Sequence, residues 1–346
     1  MNPFIPHPDA MTQSQEAINQ RFRPYRFQPG EQTLWYFQVM VENSTRLAPE
    51  TGAAPEPNGP LISLALLNRP DPPCDLEIFG QHLPADIDPA DWLEMWIAEA
   101  KITPLSSKRV RTLAGAVGDV VGSWEAAGQK FVGRLFCLKA GPRLVLMWFR
   151  CAETDYPKLA DDIFISMASF SFPDDSPGPL AEGVRWVEHK SPVPCRVAVP
   201  ASWEMKVDQT IPSVSSFQAS LTASGPAGPL MLARLSFGVI SPELIADHDH
   251  AISQAITAVT AAGVTVAAGR TIPEAPTAPY TESSLTVRAA QLGGQPAEFR
   301  CRVLRHPRCW IVAVVVSIDR ATSSIAWMRA KRMLDIATST IEFPAT

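Results

Sequence analysis

Matching landmarks recur in the two halves of this chain, and an internal duplication constrains the fold more than any single motif. Gly59-Pro60-Leu61 opens an apolar run that ends at Leu67, and Gly228-Pro229-Leu230 opens another that ends at Phe237, 169 residues later. Turn signals follow at Gly141-Pro142 and His306-Pro307, 165 residues apart by their prolines. Each half then closes on Phe-Pro, at Phe172-Pro173 and Phe343-Pro344, with an offset of 171. Near-constant offsets imply two copies of one unit. Length agrees, because 346 residues suit two domains better than one. The expected layout is a mobile N-terminal arm over 1–21, a first copy over 22–173, a linker over 174–183 and a second copy over 184–346. Pro177-Gly178-Pro179 marks the linker, with the boundary near Ser176.

Within each copy the hydrophobic periods give the fold class. Leu34 to Val41 is aromatic and β-branched and reads as a strand. Asp88-Pro89 and Ser241-Pro242 each put a capping side chain before a proline suited to the first helical position, so each is expected to open a helix. In the first, Trp92, Leu93, Trp96, Ile97 and Ala100 form one face, with Asp91, Glu94 and Glu99 off it. Leu159, Ile163, Phe164 and Met167 predict a closing helix in copy 1, and Trp327, Ala330, Leu334 and Ala337 predict its counterpart. Antiparallel strands with helices packed on them make an α+β fold.

The two central hairpins differ. In copy 2, Glu298, Arg300 and Arg302 alternate with Phe299, Cys301 and Val303, the pattern of a strand with one wet face. Arg300 and Arg302 are either a solvated outer face or a bidentate grip on an anionic partner. In copy 1, Val145, Met147 and Phe149 fall on one face and Leu144, Leu146 and Trp148 on the other, so something must cover both. One cover is the unit's own helices. The other is expected from the second copy, a twin subunit or a foreign apolar segment, with Phe136, Leu146 and Trp148 as the candidate partner-binding residues.

Composition removes several classes of function. A net charge of −5 and a pI near 5.7 disfavour non-specific nucleic-acid binding. The aliphatic run Ile311 to Val316 is far short of the roughly 20 residues of a membrane span. The N-terminus lacks the basic and apolar stretches of a secretory signal, which points to the cytoplasm. Six cysteines show no metal or redox spacing and are expected to be reduced. Asp247-His248-Asp249-His250 is a dense set of potential ligands, but residues two apart do not share a helix face, so a helix start is expected and no metal. No phosphate loop, nucleophile elbow or zinc signature is present, and no cofactor or catalytic residue is expected.

Copy 2 runs Val199-Pro200-Ala201-Ser202-Trp203, strands, helix, a hairpin flanked by Gly294 and Pro307, helix, and a closing Ile341-Glu342-Phe343. This order resembles the Mog1/PsbP-like fold, including the DcrB-type domains that act as chaperones for type VI secretion effectors. Copy 1 follows the second part of that order, closing on Ser169-Phe170-Ser171-Phe172, without the Pro-x-x-Trp opening. The resemblance implies a non-enzymatic adaptor or chaperone, in some cases a dimer, that shields an apolar segment of a partner polypeptide. A structural subunit of a secretion or envelope-associated assembly and a hydrolase or transferase are the alternatives.

Overall fold

The computed structural model describes residues 5–28, 34–48, 53–112, 115–173, 178–225 and 228–344. The chain divides into two compact units, Met1–Ala181 and Glu182–Thr346; the boundary expected near Ser176 lies outside the described residues.

In unit 1, helix α1 (Gln15–Arg21) leads into an antiparallel hairpin of β1 (Phe22–Phe27) and β2 (Phe37–Glu42). The main sheet contains β3 (Arg46–Leu47), β4 (Ile62–Pro70), β5 (Pro73–His82), β6 (Thr103–Thr112), β7 (Gly115–Ala126), β8 (Gln129–Ala140) and β9 (Arg143–Ala152). Its order is β3-β4-β5-β9-β8-β7-β6, antiparallel throughout. Helix α2 (Pro89–Glu99) joins β5 to β6, and α3 (Tyr156–Ala168) follows β9.

Unit 2 repeats this plan. Its hairpin is β10 (Val184–His189) and β11 (Cys195–Pro200). Its sheet contains β12 (Glu204–Ile211), β13 (Val214–Gly225), β14 (Gly228–Ile240), β15 (Val264–Val266), β16 (Arg270–Glu274), β17 (Glu282–Leu292), β18 (Gln295–His306) and β19 (Cys309–Ile318). The order is β12-β13-β14-β19-β18-β17-β15, with β16 also on β17. Helices α4 (His248–Ala261) and α5 (Ser324–Ser339) occupy the places of α2 and α3. Even the ends agree, since Ser171 bridges to Gln38 in β2 and Glu342 bridges to Arg196 in β11. The fold is α+β, and the two units share one strand order. One landmark misleads: Leu61 precedes β4, second in its sheet, whereas Leu230 lies in β14, third in its own. The Gly-Pro-Leu matches are therefore not equivalent positions, whereas the Phe-Pro ends are; the prolines mark the same hairpin loop one residue apart, Pro142 second in its loop and Pro307 first.

Both faces of the first sheet are covered by the unit's own elements. On one face Val145, Met147 and Phe149 pack with Leu159, Ile163 and Met167 of α3 and with Val39 and Val41 of β2. On the other, α2 lies so close to β7 that a Cβ on Gly118 would sit 2.9 Å from Leu93 Cδ2 and 3.0 Å from Ala90 Cα. A strand glycine there admits the helix backbone. Trp96 of α2 meets Trp148 edge-on at 5.3 Å. Thus α2 supplies cover that the sequence reading assigned to another copy or partner.

Capping decides the helix starts. The Asp88 carboxylate accepts from Ala90 N at 2.9 Å and, across to the sheet, from Ala116 N at 3.1 Å, and α2 begins as expected at Pro89. Asp91, expected off the buried face, is buried beside Arg109 at 2.8 Å. Ser241-Pro242 opens only a 3-10 turn, Pro242–Leu244, because Ser241 makes no side-chain cap bond. Helix α4 starts instead under Asp247, which accepts from His250 N at 2.8 Å. Among the described residues no group of three potential ligands could hold a metal ion. All six cysteines are free thiols, and all six are buried.

One buried histidine ties unit 2 to pH. His189 lies beneath β13, with Nδ1 2.7 Å from Ser215 Oγ, against the stacked rings of Phe217 and Phe237. Burial lowers its pKa from 6.5 to about 4. The folded state therefore resists protonation that the unfolded chain accepts. The stability contribution is whole above pH 6.5 and falls away as pH drops toward about 4. At roughly 1.36 kcal/mol per unit the loss reaches about 3 kcal/mol. Urea titrations across that range should show it, and His189→Phe should flatten it; an unchanged slope in the variant would assign the effect elsewhere.

Candidate functional site

The structure separates the predicted partner-binding residues of copy 1. Phe136 pairs with Met147 and joins the α3 face, whereas Trp148 pairs with Leu135 and points to the α2 face among Trp96 and Trp124. The period of two makes a common groove for Phe136 and Trp148 impossible in one sheet. Leu146, opposite Cys137, is fully buried and has no surface to offer. These three residues are core or core margin.

Arg300 and Arg302 do share a face, but it is not a wet one. Arg302 bonds Glu274 through Nε at 3.0 Å and Asp335 of α5 through Nη1 at 2.8 Å, with Thr338 Oγ1 at 3.0 Å from the same nitrogen. Arg300 is paired with Glu298 and lies over the Trp327 ring of α5, 5.2 Å from its centroid. Their acid partners lie on β18, β16 and α5, so the fork geometry that suits a bidentate anion is already occupied within unit 2. Both readings of this pair, solvated face and partner grip, give way to an internal ion network.

The segment expected as a mobile arm is anchored over its described residues. His7 Nδ1 is 2.7 Å from Ser106 Oγ on β6, and His7 Nε2 is 3.1 Å from Asp119 Oδ1 on β7. Arg134 on β8 donates to both Asp119 oxygens, at 2.9 and 2.7 Å, and to Pro8 O at 2.8 Å. Lys108 Nζ reaches His7 O at 2.7 Å, and Arg21 of α1 pairs with Asp162 of α3 at 2.8 Å. Burial alone would raise the Asp119 pKa, but the His7 and Arg134 bonds outweigh it and hold the carboxylate below its ordinary value. Serine, histidine and aspartate are thus in the order of a hydrolase triad. Asp119, however, already carries the Arg134 guanidinium as its counterion, which offsets the negative charge that would stabilise an imidazolium. The arrangement works as a clasp for the arm. Sequence reading missed it because His7 and Ser106 are 99 residues apart.

A feature open to a partner is the β6 edge of the first sheet. Strand β6 pairs only with β7 among the described residues and runs for ten residues, nearly all exposed. Leu105 is 46% and Val110 60% exposed. Two of its three basic side chains are engaged laterally, Lys108 with the arm and Arg109 with Asp91 and Glu94 of α2. In unit 2 the corresponding edge is broken into β15 and β16, three and five residues long. A short or interrupted edge is the usual protection against unwanted strand pairing; β6 has one bulge, at Leu105 beside Pro104, and then seven residues in unbroken register, Ser106 to Thr112. No described helix is long and apolar enough to cross a membrane.

No protein-family model matches the chain, and no curated protein matches it. Similar solved structures include PsbP (CyanoP) from Synechocystis sp. PCC 6803, at 8% identity and a TM-score of 0.32, over 44% of this chain and 92% of that one. LpqN of Mycobacterium tuberculosis, described as involved in cell envelope biogenesis, aligns at 16% identity and 0.28 over 45% and 94%. The immunity protein TplEi of the T6SS from Pseudomonas aeruginosa, solved with an "L" peptide, aligns at 11% identity and 0.24 over 94% and 99%.

Proposed function

We propose that this protein is a non-catalytic protein-binding module that docks an extended segment of a partner polypeptide along β6. The observation that supports this reading is the exposed edge of β6, which runs in unbroken register from Ser106 to Thr112 beyond a bulge at Leu105. A row of unpaired backbone N–H and C=O groups is matched only by another polypeptide backbone, as in strand addition to a sheet. Leu105 and Val110 offer apolar contact to alternate side chains of the incoming strand, in keeping with an adaptor or chaperone that shields an apolar segment. A structural subunit of an assembly would use the same edge for a permanent neighbour.

Hydrogen exchange on the full chain tests the proposal. In the isolated protein the outward-facing amides of β6 should exchange fast. A partner trapped by a photo-crosslinker at Val110, then purified, should slow them, and Leu105→Lys with Val110→Lys should weaken its binding at least tenfold. Both sites are exposed, so the double variant should melt as the wild type does. A partner that binds the variant equally well and leaves β6 exchange unchanged would overturn the reading.

A further inference from the structure

In unit 2, α4 covers β17, β18 and β19 but leaves a cleft of about 260 Å³ against β13 and β14. Its floor is Gly238 with Val312 and Val314 of β19, and its helix wall is made of small side chains, Ala255 among them. A Cβ on Gly238 would make only ordinary contacts, the nearest with Ile240 Cγ1 at 3.7 Å, so no α4 atom closes over this position. Arg234 stands two strand positions beyond Ser236 on the same face, half-buried, and makes no ion pair or hydrogen bond among the described residues.

The duplication shows that this opening is particular to unit 2. Phe79 of β5 pairs with Leu146, three residues into β9, as Gly238 pairs with Val312, three residues into β19. Where unit 1 puts a phenylalanine, unit 2 puts a glycine. By the same register Arg234, opposite Val316, corresponds to Asp75, opposite Arg150, and Asp75 is engaged by Asn68 at 2.7 Å. One copy fills and pairs these positions; the other empties the first and, among the described residues, leaves the cation at the second without a counterion.

We propose that the unit 2 cleft is a binding site for a small monocarboxylate with a short aliphatic chain. The carboxylate lies against Arg234, assisted by the Ser236 hydroxyl, and the chain runs over Gly238 between Val314 and Ala255. A lone guanidinium matches one negative charge and takes it bidentately. The volume falls just below the roughly 300 to 1,000 Å³ of drug-sized sites, which fits about eight heavy atoms better than a larger ligand. This site is separate from β6 and stands or falls independently of the strand-docking proposal.

Calorimetric titration of the full chain with hexanoate, 1-hexanol and hexyl phosphate provides the test. Hexanoate should bind one to one and at least tenfold more tightly than hexanol, and Arg234→Met should erase that difference. Gly238→Phe, which installs the unit 1 residue, should abolish hexanoate binding; if that variant folds poorly, Ala255→Leu serves the same purpose from the helix side. Hexanoate binding that is absent from the wild type, or unchanged in Gly238→Phe and Ala255→Leu, would overturn the site. Tighter binding of hexyl phosphate than of hexanoate would overturn the carboxylate assignment.

Discussion

Leu146→Asp is expected to destroy the folded state of unit 1. Leu146 is wholly buried on β9, the central strand, and its face is closed by α2. Loss of a buried leucine costs about 2–5 kcal/mol on its own. An unpaired carboxylate in the same space adds a desolvation cost that its protonation only partly relieves. Together they come to about 5 kcal/mol or more, comparable with the whole stability of an ordinary domain. Near-ultraviolet circular dichroism reads the result directly, because Trp96, Trp124 and Trp148 pack against one another on that face. Retention of the wild-type aromatic signal and urea midpoint would show that the β9 interior is not the core described. Leu146→Met, close in volume, should cost under about 1.5 kcal/mol.

The second large effect belongs to the arm clasp. Asp119→Asn should destabilise the protein by about 3–5 kcal/mol, because Arg134, whose side chain is fully buried, keeps its charge and loses its counterion. Replacing both partners, Asp119→Leu with Arg134→Met, should recover much of that loss. The pairing also has a pH signature. The Asp119 pKa is depressed in the fold, so its contribution is present above the ordinary value of 3.8 and disappears as pH falls through the lower folded value. Acid unfolding should begin earlier in His7→Ala, which removes one of the groups that depress it. Equal stability of Asp119→Asn and wild type in urea would sink the clasp as an energetic element.

What could be read without coordinates was governed by distance along the chain. The Asp88 cap and its proline are adjacent, and α2 begins where they predict. Ser241-Pro242 carries the same two-residue signal, yet Asp247, five residues past Pro242, makes the better cap and takes the helix. Alternation along β18 correctly placed Arg300 and Arg302 on one side, but whether that side is wet depends on Glu274 and Asp335, 28 and 33 residues from Arg302. Period-two counting within β9 was right as well. The register between β8 and β9, which puts Phe136 opposite Met147, was needed to see that Phe136 and Trp148 face apart. The β6 edge was invisible for a related reason: a strand is an edge only by virtue of a neighbour it does not have. The cleft in unit 2 became meaningful only when Gly238 could be set beside Phe79 by strand register.

The strand order carries a consequence for synthesis. In each unit the strand made last, β9 or β19, lies in the middle of its sheet, between β5 and β8 or between β14 and β18. As the chain leaves the ribosome, the strands β3-β4-β5 and β6-β7-β8 of unit 1 have no ladder to join them until the stretch from Arg143 to Ala152 is complete. Only then do the halves join. Unit 2 meets the same condition at Cys309–Ile318, so the fold is keyed twice, each time by an apolar strand that arrives after everything it must bridge.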